Sequence, residues 1–247
     1  MTAETLLREI VRARSGPIPV GPLRQFVLDL AVSGRLVSQD ATDEPARILL
    51  DRLKRELLGK ATISRSSNSL LLEKTSLPFT APRSWAWVPL VDLCDVSYGF
   101  AFDSARFVRP GSGRPLIRIR DISSIDTQVY FDGPFDSRYL VGPGDYLVGM
   151  DGDFNLREWT GPEALLNQRV MRLRQWRQSI SPRWTAVPLQ MILHHLHAST
   201  SQTTVKHLSA KQVNTIQIPL PPLEEQRRIV AKVDEVMALC DLSLIHI

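Results

Sequence analysis

The clearest periodicity in the chain lies near its end. Ile229, Val233, Val236 and Cys240 recur at spacings of four, three and four, the seam of a coiled coil. Glu224, Glu225, Arg227, Arg228, Lys232 and Glu235 fall mostly off that seam. Pro219, Pro221 and Pro222 end a strand and set an extended approach into the helix, because proline fixes φ and has no N–H to donate. A helix with so narrow an apolar seam needs a partner helix. An uncovered seam predicts dimerisation or aggregation of the chain alone. Near the other end, Leu23, Phe26, Val27 and Leu30 form a second apolar face, with Gly34 as its stop. Asp43-Glu44-Pro45 reads as a helix start with acidic residues at the positive end. After it, Ile48, Leu49, Arg52, Leu53, Glu56 and Leu57 alternate between buried and exposed faces.

Between these helices the period shifts toward two. Pro115 to Asp121 alternates, with Ile117 and Ile119 on one face and Arg118 and Arg120 on the other. Gly144 to Gly149 is a short apolar strand after a Gly-Pro-Gly turn. Asn167 to Arg174 alternates too, with Met171 and Leu173 opposite Val170, Arg172 and Arg174. Trp184 to His197 predicts an apolar helix, and Asn214 to Pro219 a closing strand. The expected fold is therefore α+β: a mixed, mostly antiparallel β-rich domain flanked by helical regions and ending in a coiled-coil helix. The segments divide as follows: a short helix and Gly/Pro break over 1–22; a helical pair with a polar linker around Ser64 to Ser69 over 23–76; the β-rich domain over 77–218; and the seam helix over 219–241. No internal repeat is present.

Three of these segments carry a resemblance. Pro219-Leu-Pro-Pro-Leu-Glu-Glu-Gln-Arg-Arg-Ile-Val230, followed by Lys232-Val-Asp-Glu-Val-Met-Ala-Leu-Cys-Asp241, resembles the conserved spacer region of the specificity (S) subunit of Type I restriction-modification systems. Leu23 to Asp40 and Asp43 to Lys54 are similar to the amino-terminal conserved region of many such subunits. Pro82, Trp85, Trp87 and Leu90 follow the Pro-x-x-Trp-x-Trp-x-x-Leu pattern that commonly opens a target recognition domain in that family. The resemblance brackets the chain and covers most of it. It implies a non-catalytic DNA-specificity subunit, here an amino-terminal half with one target recognition domain. That domain would read one half of a split double-stranded DNA target. The spacer helix would fix the distance to the other half, at about 1.5 Å per residue. The resemblance also implies docking of methyltransferase (modification) subunits and, through them, a restriction subunit, with self-association through the spacer helix as a further possibility. S-adenosylmethionine, ATP and Mg²⁺ would belong to those partners, with no cofactor on this chain. Two alternatives stand beside it: the specificity module of a related fused restriction-methylation enzyme, and a helical interaction protein with no DNA role.

Composition narrows the classes further. The 247 residues are 43% hydrophobic and 23% charged, which suits a globular protein and not a disordered one. No apolar run reaches membrane-spanning length, and residues 1–14 lack the apolar core of a signal peptide, so the expectation is a cytoplasmic protein. Cys94 and Cys240 read as free thiols, not a disulfide. A net charge of +4 and pI near 9.3 are compatible with DNA binding. Between Lys74 and Lys206 every basic residue other than histidine is arginine. The arginine fork matches phosphate and guanine O6/N7, although a GC-rich genome gives the same bias.

Candidate DNA contacts follow from loops and polar strand faces. The loop Ser97 to Arg106 offers Tyr98 and Arg106, and the first alternating strand offers Arg118 and Arg120. The polar stretch Asp151 to Arg157 offers Asn155 and Arg157. Gln168 and Arg169 precede a strand, and Thr203, Thr204 and Lys206 lead into the last strand of the domain. Gln and Asn pair bidentately with adenine and Arg with guanine. Equally, Asn167 and Gln168 can cap a turn, and Thr203 and Thr204 can bond their own backbone. Leu223, Ile229, Val233, Val236 and Cys240 are the expected packing residues of the spacer helix.

Other chemistry is missing. His194, His195, His197 and His207 have no Cys or Glu at ligand spacing, so surface or packing histidines are expected and no metal site. Asp151 and Asp153 read as a solvated loop. There is no phosphate-binding Gly-x-x-x-x-Gly-Lys loop, no methyltransferase core motif and no nucleophile–base arrangement, so no catalytic residue is assigned. After Asp241 the family pattern stops. Residues 242–247, Leu-Ser-Leu-Ile-His-Ile, match the translation of a transposon end used in sequencing libraries, which predicts a non-native tail on a fragment of a longer gene.

Overall fold

A computed structural model of the chain describes residues 20–59, 79–124, 126–199 and 206–245. The first predicted helix, most of the polar linker, and Thr203 and Thr204 lie outside the described residues. In chain order the helices are α1 (Val20–Val32), α2 (Ala46–Gly59), α3 (Leu90–Leu93), α4 (Pro182–Ser199), α5 (Ala210–Thr215) and α6 (Leu223–Ile245). The strands are β1 (Ala86–Pro89), β2 (Asp95–Tyr98), β3 (Phe107–Val108), β4 (Arg114–Ile117), β5 (Tyr130–Phe131), β6 (Leu140–Val141), β7 (Tyr146–Gly149), β8 (Leu156–Glu158), β9 (Ala164–Leu166), β10 (Val170–Arg174) and β11 (Gln217–Leu220). They fall into two compact units. One comprises Met1–Pro89, Arg177–Leu189 and Gln217–Ile247, and the other Leu90–Trp176 and Gln190–Ile216.

The first unit is built on the predicted helical faces. Val27 and Leu30 of α1 share one buried cluster with Ile229, Val233, Val236 and Cys240 of α6. The seam is therefore covered within the chain, which corrects the expectation of an exposed seam driving aggregation. Leu223 sits at the start of α6, half-buried. Trp85 and Trp184 complete the cluster, edge to face at 5.2 Å. Each indole N–H is satisfied: Trp184 Nε1 donates to the Pro219 carbonyl at 3.0 Å and Trp85 Nε1 to the Glu225 carboxylate at 3.1 Å. β1 and β11 pair antiparallel, Ala86 opposite Leu220 and Pro89 opposite Gln217. Thus the two ends of the predicted β-rich segment are joined strand to strand.

Helix ends follow their sequence signals closely. Gly34 adopts φ +66° after α1. The amides of Arg35 and Gly34 reach back to the carbonyls of Leu30 and Ala31 at 2.9 and 3.1 Å, a Schellman closure that only a left-handed residue permits cheaply. α1 begins at Val20, inside the predicted break, because Gly21 and Pro22 occupy a first turn whose amides need no intrahelical partner. α2 begins directly after Pro45, and Asp43 takes both guanidinium nitrogens of Arg228 at 3.0 and 2.6 Å.

The second unit holds two sheets. One is antiparallel throughout, in the order β2-β10-β7-β8. The other runs β3-β5-β4-β9-β6 and has a single parallel pair, β4 with β9. The mixed, mostly antiparallel character expected from the sequence is what the chain adopts. Three predicted strands differ in extent. The first ends at Ile117, where the Asp121 carboxylate accepts from the Arg118 amide at 2.9 Å and its guanidinium at 3.2 Å and closes a 3-10 turn. Arg118 and Arg120 therefore do not share a strand face. β10 is an inner strand, and successive residues on both of its faces, Val170 to Leu173, are buried. Arg172, read from alternation as polar-facing, is 1% exposed and donates to the carbonyls of Leu140 and Arg138 and to Ser97 Oγ. The closing strand starts only at Gln217, because Ser209 and Gln212 form a capping box that turns residues 210–215 into α5.

Candidate nucleic-acid interface

Strand register brings the predicted loops to one end of the four-stranded sheet. Tyr98, the last residue of β2, lies opposite Met171, near the start of β10. Val170 lies opposite Gly149, the last residue of β7, and Val148 lies opposite Leu156, the first of β8. The segments after β2, before β10, and between β7 and β8 must therefore emerge together.

Hydrogen bonds weld these segments into one surface. The Phe100 amide donates to the Leu166 carbonyl, and the Phe100 carbonyl accepts from the Gln168 amide, both at 2.9 Å. Gly99 allows this approach, since a Cβ there would overlap the Asn167 carbonyl. The Met150 amide donates to the Arg169 carbonyl at 3.0 Å. Asp151 pairs as a bridge with His207, flanked by bonds from Gly152 to Lys206 and from Leu208 to Met150. The segment carrying Lys206 is thereby tied to the loop carrying Asn155.

The side chains form a small charge network. The Asp151 carboxylate meets His207 Nδ1 at 2.7 Å and Arg169 Nε at 3.4 Å. Arg169 stays half-exposed, so the aspartate orients its guanidinium without hiding it. Lys206 Nζ donates to the carbonyl of His197 at 2.6 Å, near the carboxyl end of α4, where a cation is favoured. Phe154 anchors the loop: its ring is fully buried against His197, at a φ of 50° that few non-glycine residues adopt. Asn155 and Gln168 are exposed. Burial pushes the Tyr98 phenol above its ordinary pKa, so it remains a hydrogen-bond donor at neutral pH.

The remaining predicted residues are placed differently. Arg157 belongs to β8, not to the loop, and its guanidinium donates to the Ser123 carbonyl. Arg118 is committed to Asp121, while Arg120 is exposed. Arg106 lies on a 3-10 turn and donates to the Asp132 carbonyl at 3.4 Å. Thr203 and Thr204 lie outside the described residues. Asp151, His207 and Phe100 were not among the candidates. Asp151 and His207 are 56 positions apart in sequence, and only strand pairing reveals them as partners. Among the described residues no group of three potential ligands could hold a metal ion, and no helix is long and apolar enough to cross a membrane.

Comparison with known proteins gives this surface its context. The sequence model of the Type I restriction modification DNA specificity domain matches residues 82–243. The chain is 40% identical over 180 residues to the Type I restriction enzyme EcoBI specificity subunit of Escherichia coli, covering 73% of this chain and 38% of that one. It is 27% identical over 242 residues to the EcoAI specificity subunit, also of Escherichia coli, covering 90% of this chain and 40% of that protein. The chain thus spans about two fifths of the length of these relatives. In fold it is similar to the HsdS subunit of Thermoanaerobacter tengcongensis, with a TM-score of 0.52 at 23% identity over 91% of this chain and 50% of that structure. With the family model spanning both the paired strands β1 and β11 and the joined loops between them, the chain belongs to the Type I restriction-modification DNA specificity family.

Proposed function

We propose that the chain reads a short half of a split DNA target through the loop cluster at the end of the four-stranded sheet, and that it does no chemistry itself. The observation that carries this reading is the convergence of the segments bearing Tyr98, Asn155, Gln168, Arg169 and Lys206 on one surface. Base reading needs a few placed donors and acceptors more than bulk charge. In this proposal Gln168, Arg169 and Asn155 address base edges. Lys206, with Thr203 and Thr204 beside it in sequence, addresses phosphate, as do Arg106 and Arg120. Arg118 and Arg157 support the surface through their bonds to Asp121 and Ser123.

Residues 77–218 then act as the target recognition domain. Residues 23–76 and 219–241 provide the docking surface for methyltransferase subunits and the spacer that sets the gap between half-sites. A restriction subunit joins through the methyltransferase. S-adenosylmethionine, ATP and Mg²⁺ belong to those partners, and the assembly works on cytoplasmic DNA. The test is equilibrium DNA binding by the complex with its methyltransferase across a salt series. Sequence-selective binding that weakens steeply with salt is the expected result. A soluble complex with no salt-dependent DNA affinity would instead support an interaction protein.

A further inference from the structure

Phe100 is 47% exposed in the segment after β2, one of those joined in the proposed reading surface. Singly exposed apolar residues are ordinary; what distinguishes Phe100 is how firmly it is held. Both of its backbone groups are bonded to the segment that carries Gln168 and Arg169. Its ring packs against Phe102 at 5.3 Å, edge to face, and against Tyr139 at 5.1 Å, tilted by 33°. Tyr139 is fixed in turn, because the buried Arg172 guanidinium takes the carbonyls on either side of it, those of Arg138 and Leu140. The outer part of the Phe100 ring is thus presented rigidly to solvent, on a backbone joined to the segment that carries the exposed Gln168 and Arg169.

We propose that Phe100 is a specificity-determining residue that reads a thymine through contact with its 5-methyl group. This rests on the DNA-reading function proposed above. In the major groove the base edges offer donors, acceptors and one apolar group, the thymine methyl. A ring with no polar atom distinguishes bases at their edges only through that methyl. Gln168 and Arg169, on the adjoining segment, supply the polar part of the same reading. The rigidity matters because a ring already ordered in the free protein loses little conformational freedom on contact.

The experiment uses the full-length complex with its methyltransferase, at the target identified by methylation sequencing. Each thymine of the half-site is replaced in turn by deoxyuridine, which removes only the methyl, and binding is measured for wild type, Phe100→Ala and Phe100→Leu. One position is expected at which uracil weakens wild-type binding by about fourfold, the worth of one buried methyl-sized group. Phe100→Ala should bind thymine and uracil equally there, with its response elsewhere unchanged. Three results would overturn the assignment: a half-site with no thymine on either strand, a selective wild-type complex indifferent to uracil at every position, or a Phe100→Ala profile identical to wild type. Loss of methyltransferase assembly in both variants would make the ring a subunit contact and overturn it as well. A wild-type complex with no sequence selectivity would remove the DNA-reading function itself, and this assignment with it.

Discussion

Arg169 and Lys206 occupy one surface but are expected to do different work. Arg169 is oriented by Asp151 with its guanidinium half-exposed, the arrangement suited to a guanine edge. Lys206 is tethered to a backbone carbonyl near a helix end and offers a point charge suited to phosphate. Arg169→Ala in the assembled complex should cost about 1–3 kcal/mol of binding and relax selectivity at one base pair, while Lys206→Ala should weaken all sequences alike and reduce the salt slope. Competition binding against single-base variants separates the two. Glu225 makes a separate prediction about stability. It is 2% exposed, and burial raises its pKa above the ordinary carboxylate value, despite the Trp85 N–H that favours its charged form. The folded state therefore holds the proton more tightly than the unfolded one. Stability should fall as pH rises from the ordinary glutamate range through the raised folded value, and the loss is complete above it. Glu225→Gln keeps an acceptor for Trp85 and removes the charge, so its melting temperature should vary less over that range. A pH series of thermal melts on both proteins would show this, and parallel curves would contradict it.

At the scale of elements, the helices were the most legible part of the chain. Gly34 marked the stop of α1 and Pro45 the start of α2, and the face of Val27 and Leu30 was visible in the spacing alone. The seam of α6 was legible as well, but its partner was not, because nothing in one helix names the helix that covers it. In the fold it is α1, some 200 residues away in sequence. Ile229→Ala, at a site with no exposure, should therefore cost about 2–5 kcal/mol through lost contacts and a cavity. That cost should appear in chemical denaturation of the chain alone, with no second copy required. A concentration-dependent loss would instead mean that the seam is shared between chains. The strands were less legible. Alternation at Arg118 and Arg172 suggested a solvent face, but Asp121 closed a turn at one, and the carbonyls of Arg138 and Leu140 take the buried guanidinium of the other. The binding loops were readable as loops, while the Asp151–His207 bridge that assembles them was not, since it depends on register between distant segments.

For the whole molecule, family membership rests on a match over residues 82–243, while the chain spans about two fifths of the length of its relatives. What this chain contributes within a larger assembly is the proposal that most needs a direct test. The decisive measurement is the methylation pattern produced when the gene for this chain is co-expressed with a Type I methyltransferase gene from the same genome in a methylation-free host. A split motif with a fixed gap is predicted. Deleting this chain should abolish it, and Arg169→Ala should relax one half of the motif while leaving the other half and the gap unchanged. A soluble, assembled complex that leaves no modified bases, or a motif that persists without this chain, would contradict the DNA-reading function.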